Sequence, residues 1–339
     1  MRVVAWDTET ELIAPGRLAP QMVCLSWCDE HGSGLEKPKE GLELLRKWLL
    51  DDDVLLSGHN LAFDNGVVWQ EDPTIQDLIW RKYDKGLMLC TMVASKLEFI
   101  ATRNGFKGGN RFDLDTACQH YTGESVEGKY GPDVWRTRYS ELKDVPLDEW
   151  PEAAKAYAEN DAIHTYNTTM GILRRDKTYA SVLWEGHSLW PDTLNQTRYA
   201  WAMHLMGCWG IRTDNAKVKV LKDSLESEMV VLNKQLLEAG YLKQKPNGLA
   251  KDTKVIKARV TELYDGNPPM TPKGNIKIDG KETLANIAHL DEDMAALAQR
   301  EPLSKLLSSF VPILTKGAEY PINPRWNVLV DTGRTSCGK

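Results

Sequence analysis

Asp7 and Glu9 stand two residues apart at the end of an apolar, β-branched run, Arg-Val-Val-Ala-Trp-Asp-Thr, over residues 2–8. Side chains at i and i+2 leave a strand on the same side. Both carboxylates are therefore expected to face one point, where one of them takes up a proton unless a cation intervenes. Hard oxygen ligands of this kind suit Mg²⁺ or Mn²⁺. An isolated Asp-x-Glu is common, and read alone it is a polar strand end entering a loop. Asp64 follows a short apolar strand in Gly58-His-Asn-Leu-Ala-Phe-Asp64, a place where an acid is often an N-cap. Tyr157 and Asp161, in Tyr-Ala-Glu-Asn-Asp, are four apart and so share one face of a helix. There the acid can ligate a metal while the phenol orients a water. An ordinary phenol pKa of about 10 assigns the tyrosine to positioning rather than proton abstraction.

These side chains need a sheet edge and a helix to hold them. Residues 2–8 and Met22–Cys28 read as strands, and 54–57 as a short strand ended by Gly58. Leu42, Leu45 and Leu49 have helical spacing. Two or three helices fill 64–100, and a helix spans 153–169 behind Pro151. Strands first and mixed helices after predict an α/β fold with a mixed sheet and flanking helices. A second region is expected to begin within 176–195. Its clearest element starts after Asp214, an N-cap candidate. Val218, Leu221, Leu225, Met229, Leu232 and Leu236 then recur every three or four residues as far as Gly240. Residues 244–283 read as loops and short helices.

Composition narrows the function classes. A length of 339 residues, 42% hydrophobic and 27% charged, fits two soluble domains with sizeable cores. No apolar run approaches the roughly 20 residues of a bilayer span, and the N-terminus does not read as a signal peptide, so a cytoplasmic protein with no membrane partner is expected. Six scattered cysteines point to reduced thiols. The net charge of −6 argues against coating nucleic acid by charge alone. Residues 214–260, however, hold ten Lys or Arg against six Asp or Glu, a local +4, which leaves −10 on the rest. A basic segment beside an acidic body fits nucleic acid held by one part and cations gathered by another. Cys24-x-x-x-Cys28 with His31 lacks a fourth zinc ligand. The glycines at 105, 108 and 109 precede no Gly-Lys-Ser or Gly-Lys-Thr, so a plain loop is read there. The twelve tryptophans read as packing residues.

Taken together, Asp7-x-Glu9, Asn60-x-x-Phe63-Asp64 and Tyr157-x-x-x-Asp161 occur in an order that resembles the DEDD exonuclease superfamily, in the subclass whose third motif carries tyrosine. The resemblance implies a ribonuclease H-like 3′→5′ exonuclease domain over 1–180. It also implies two divalent ions, Mg²⁺ or Mn²⁺, about 4 Å apart, with Asp7, Glu9, Asp64 and Asp161 as ligands. Asp7 would be shared by both ions, Glu9 and Asp161 would serve the ion beside the attacking water, and Asp64 would serve the other. Tyr157 would align the nucleophile, and nucleoside 5′-monophosphates would leave.

The second half, 181–339, adds a second resemblance. Met206-Gly-Cys-Trp-Gly-Ile-Arg-Thr-Asp214, followed by the long helix, is similar to the entry into the thumb of family A (DNA polymerase I-like) polymerases. Leu306–Leu314 and Asp331-Thr-Gly-Arg-Thr-Ser-Cys337 resemble the thumb exit and the Thr-Gly-Arg-x-Ser signature bordering the palm. The resemblance implies a proofreading exonuclease and a mainly α-helical thumb-like region, with DNA as partner: a frayed or single-stranded 3′ primer end at the exonuclease and template-primer at the thumb. Palm and fingers motifs have no counterpart, so this chain alone is not expected to polymerise. The missing parts would come from a longer polymerase or a separate chain, and the arrangement looks phage-like. One departure is Cys90-Thr91-Met92, where the family often has Asp-Thr-Met; that aspartate is not a metal ligand. Residues 300–339 are expected to need a partner to pack against. Two other readings share the first half: a free-standing exonuclease on DNA or RNA 3′ ends, and a non-catalytic module that binds nucleic acid or another chain.

Overall fold

The computed structural model describes residues 2–102, 106–126, 135–182, 190–246, 248–330 and 334–338, with side chains of 176–191 excluded. Residues 104 and 105 of the glycine-rich loop, and 331–333 of the Thr-Gly-Arg segment, lie outside the described residues. So do the side chains around the expected 180/181 boundary.

Five strands form one mixed sheet: β1 (Arg2–Thr10), β2 (Met22–Asp29), β3 (Gly32–Glu36), β4 (Val54–Gly58) and β5 (Met88–Cys90), in the order β3-β2-β1-β4-β5. β1 pairs antiparallel with β2 and parallel with β4. Sequence patterning finds β1, β2 and β4 but not β3 or β5, whose Gly-Ser-Gly-Leu-Glu and Met-Leu-Cys are too short or too glycine-rich to show a period. Helices α1 (Pro38–Leu50), α2 (Leu61–Glu71), α3 (Gln76–Asp84), α4 (Thr91–Thr102), α5 (Leu114–Tyr121), α6 (Glu152–Val182) and α7 (Trp190–Trp209) surround it. This is the α/β, ribonuclease H-like arrangement expected for the first half.

Alternation along β1 divides the helices between two faces. Val4 and Trp6 enter one core with Leu45, Trp48, Leu61, Val67, Ile79 and Trp201, from α1, α2, α3 and α7. Val3, on the other side, packs with Leu55 and Leu89 against Tyr166 and Met170 of α6. Val23 and Cys24 of β2 meet Tyr139, Ala154 and Ala158 on that same side. The odd-numbered residues of β1 thus face α6, and the even-numbered ones face α2.

Two compact units divide the chain: Met1–Gly210 with Asn323–Lys339, and Ile211–Ile322. By compactness, therefore, α7 belongs with the sheet, although the sequence reading divides the chain at 180/181. The final segment also returns to the first unit. Val328 and Leu329 are buried in its core, and the Asn323 side-chain amide donates to the carbonyls of Gly207 (2.9 Å) and Cys208 (3.2 Å). That part of 300–339, expected to need a partner, finds its apolar cover within the chain.

The second unit is mainly helical, as expected. Asp214 caps α8 (Asn215–Glu238) by accepting from the Lys217 amide. Val218, Leu225, Leu232 and Leu236 are buried, whereas Leu221 is 43% exposed. Beyond it come a hairpin of β6 (Leu242–Lys245) and β7 (Gly248–Lys251), then α9 (Thr253–Leu263), α10 (Ala285–Ile287), α11 (Glu292–Lys305) and α12 (Val311–Glu319). A loop reading of 244–283 misses the hairpin because its strands are short and polar. Leu236, Ile256, Val260, Leu284, Met294 and Leu297 form the unit's own core. A last pair, β8 (Arg325–Asn327) and β9 (Ser336–Gly338), closes the chain. Among the described residues no helix is long and apolar enough to cross a membrane.

α2 is pinned to α7 at a point of close approach. A Cβ on Gly66 would lie 2.9 Å from Nε2 of His204, a buried ring whose burial lowers its pKa to about 4. Gly66→Leu is expected to cost about 1–3 kcal/mol through overpacking, read as a lower Tm, with Gly66→Ala less costly. A Gly66→Leu chain as stable as the parent would show that the two helices are not held at this distance.

Candidate active site

The sheet brings three carboxylates to one place. Asp7 and Glu9 point from β1 toward α6, and Asp161 points back from α6, one helical turn after Tyr157. Oxygens of Asp7, Glu9 and Asp161 all lie within 4.8 Å of one another. Glu9 is only 7% exposed. At an effective dielectric of about 20, unit charges at that separation repel by roughly 3 kcal/mol per pair. That is a large fraction of the net stability of a domain; a bound divalent cation would relieve it, and all-oxygen donors select a hard one. The donor set therefore fits Mg²⁺ or Mn²⁺.

Asp64 reaches the same cleft from the other side of the sheet. It lies in the first turn of α2, where Asn60 rather than Asp64 occupies the cap position. Its carboxylate accepts hydrogen bonds from the Thr8 amide (3.1 Å) and the Thr8 hydroxyl (2.6 Å). Thr8 is the even-numbered residue between Asp7 and Glu9, so alternation that sends the two acids toward α6 sends Thr8 toward α2. Asp64 therefore stands outside the three-carboxylate group but lines the same cavity, of about 880 Å³. Burial pushes its pKa up to about 7; the charge of Asp161 adds to this and the two Thr8 bonds oppose it.

Tyr157 also lines the cleft, with its ring 6.2 Å from that of buried Tyr139. Burial first, then Asp161 and Glu9, raise its pKa above the ordinary phenol value. The hydroxyl consequently stays protonated at neutral pH and can donate a hydrogen bond, but it is a poor base.

Several cleft residues were not singled out from sequence as site residues. Thr8 is one. His59 bridges Thr91 Oγ1 (2.7 Å) and the Phe112 carbonyl (3.0 Å), tying α2's entry to α4 and to the start of α5. Asn60 holds φ +61°, a left-handed value that asparagine tolerates better than most residues. Its asparagine type was the one available signal. Lys96 and Arg136 bring positive charge to the rim; Leu12, Ile13, Phe63, Met92 and Phe112 give an apolar wall. Lys96 Nζ sits 5.9 Å over the Phe112 ring, and burial lowers its pKa. At Cys90-Thr91-Met92, Cys90 ends β5 in the core, and its amide donates to Thr197 Oγ1 (3.3 Å). Among the described residues the two groupings with metal-ligand spacing are the carboxylates above and Cys118, Glu124 and His164; neither includes Cys24, Cys28 or His31.

Comparison with known proteins gives a family match over residues 1–175, to a model described as a 3′-5′ exonuclease of the DNA polymerase A type. No curated protein matches the chain. Among solved structures, the POL domain of Pol1 from M. smegmatis, in complex with DNA primer-template and dNTP, superposes with a TM-score of 0.58 at 14% identity. The match covers 98% of this chain and 50% of that one, so this chain spans half the length of that polymerase chain.

The raised pKa of Asp64 has a consequence for stability. In metal-free protein the folded state holds its proton to higher pH than the unfolded state, whose aspartate titrates near 3.9. Stability from this group is full below about pH 4 and falls as pH rises through about 7. In EDTA, unfolding free energy is expected to drop by the order of 2–4 kcal/mol over that window. Asp64→Asn should flatten the drop while keeping an acceptor for Thr8. Denaturant melts of both proteins at pH 5 and pH 8 check this; equal slopes with pH would show that Asp64 is not the titrating group.

Proposed function

The chain belongs to the 3′-5′ exonuclease domains of the DNA polymerase A family, and from that premise we propose that it removes nucleotides from DNA 3′ ends by two-metal-ion hydrolysis at Asp7, Glu9, Asp64 and Asp161. The observation that carries this reading is the gathering of Asp7, Glu9 and Asp161 oxygens within 4.8 Å, with Asp64 and Tyr157 in the same cleft. Asp7, Glu9 and Asp161 would hold one divalent ion, Mg²⁺ or Mn²⁺, and Asp7 with Asp64 a second. When bound, such ions lower the pKa of a water and stabilise charge on a departing 3′-oxygen. Tyr157 donates a hydrogen bond that holds the attacking water in line with the phosphorus. Thr8 fixes the Asp64 carboxylate, so that its orientation costs nothing at the moment of reaction. Lys96 and Arg136 offset the phosphate charge, and Phe63, Phe112 and the Leu12–Ile13 edge give the unstacked terminal base an apolar surface. Water is the nucleophile, and a nucleoside 5′-monophosphate is the product.

The context proposed is proofreading. Residues 1–180 would form the exonuclease domain and 181–339 the thumb-like start of a polymerase region. The long helix α8 and the basic 214–260 segment support template-primer as a further partner.

Incubation with 3′-labelled single-stranded DNA and Mg²⁺ or Mn²⁺ is expected to release labelled mononucleotides, and Asp7→Ala to lower the rate by about 10³-fold or more. Absence of release, or full activity in Asp7→Ala, would refute the reading. A matched RNA substrate separates it from a 3′-end RNA nuclease. Tyr157→Phe should lower kcat by about 10–100-fold with Mn²⁺ affinity unchanged; a lost affinity instead would assign the phenol to metal binding.

A further inference from the structure

A second set of donors, of different chemistry, lies further along α6. Cys118 on α5, Glu124 in the turn that follows, and His164 on α6 place Sγ, a carboxylate oxygen and an imidazole nitrogen within 4.8 Å of one another. We propose that Cys118, Glu124 and His164 bind a single Zn²⁺-type cation that clips the end of α5 to α6, separately from the exonuclease site.

The donor chemistry separates the two sites. Thiolate and imidazole select a borderline-soft ion such as Zn²⁺ and disfavour Mg²⁺, the reverse of the all-carboxylate group. The geometry fits as well. Zinc ligands at about 2.3 Å for sulfur and 2.0–2.1 Å for nitrogen, at a tetrahedral angle, stand about 3.5 Å apart. Cys118 Sγ and His164 Nδ1 are 3.6 Å apart. Glu124 is exposed, so its side chain can close on the pair, and Gly123 at φ +83° makes the turn that brings it back. The Thr122 hydroxyl accepts from the Glu124 amide (3.1 Å) and lies 3.4 Å from Cys118 Sγ. Thr168, one turn beyond His164, turns its buried hydroxyl toward the same thiol. Three protein ligands leave a fourth position for water. Binding as thiolate would release the thiol proton to solvent.

The site would matter to the helix that carries Tyr157 and Asp161. His164 is three residues after Asp161, so a cation there would fix the rotation and axial position of α6 just beyond the exonuclease carboxylates.

Titration of the metal-free full chain with Co²⁺ reads the thiolate directly, through a sulfur-to-cobalt charge-transfer band in the near ultraviolet. The expected result is a band that saturates at one equivalent, is displaced by Zn²⁺, and is lost in Cys118→Ala and His164→Ala. It should persist in Asp7→Ala and Cys337→Ser. No band in the parent, a band that survives His164→Ala, or a band lost in Asp7→Ala would each overturn the proposal. Because Cys118 is buried and its variant can fail to fold, the half-buried His164 carries the decision. The readout needs no nuclease activity, so it stands or falls independently of the exonuclease reading.

Discussion

Repulsion among Asp7, Glu9 and Asp161 is the constraint around which the first unit is arranged. Nothing in the strand chemistry of β1 favours two acids at its end, and nothing in α6 favours a third acid aimed at them. The cluster persists because the surrounding elements over-determine it. β1 is hydrogen-bonded to β2 on one side and β4 on the other. α6 is anchored to the same sheet by Tyr166 and Met170 on one stretch and by Ala154 and Ala158 on another. The apolar burial on both faces offsets a local electrostatic cost that a divalent cation would relieve.

The alternation of β1 is the device that lets one short strand serve two layers. Asp7 and Glu9 belong to the α6 side, and Thr8 between them belongs to the α2 side, where it holds Asp64. A shift of one residue in register would exchange the two sets. The register is set by Trp6, which fills the core on the α2 side, and by the β1–β4 pairing from Arg2↔Val54 to Ala5↔Ser57.

What was legible in the sequence follows from this. The carboxylates and Tyr157 were readable because each pair sits within one element, at spacings of two or four that fix a shared face. Asp64 was readable as a motif residue but not in its geometry, because its partner Thr8 is fifty-six positions away and only the folded sheet joins them. β1, β2 and β4 announced themselves by long apolar runs, whereas β3 and β5 owe their strand state to a neighbour already in place. The hairpin of β6 and β7, polar and four residues a side, left no periodic trace. Compact packing assigned α7 and the C-terminal segment to the sheet-bearing unit for a similar reason. Trp201, Val328 and Leu329 are buried there by tertiary contacts that no local pattern encodes.

The position of β1 at the centre of the sheet also bears on how the site is lost. The strand pairs with β4 from Arg2 to Ala5 and with β2 from Ala5 to Thr10, and Asp64 takes the Thr8 amide, so amides there exchange with solvent chiefly through large, cooperative openings. The strand that carries Asp7 and Glu9 thus sits among the last segments to fray. Heat or denaturant would not erode the carboxylate cluster ahead of the domain, and a protease would find no separately labile loop bearing Asp7 or Glu9. For this chain the lifetime of the site is the lifetime of the sheet.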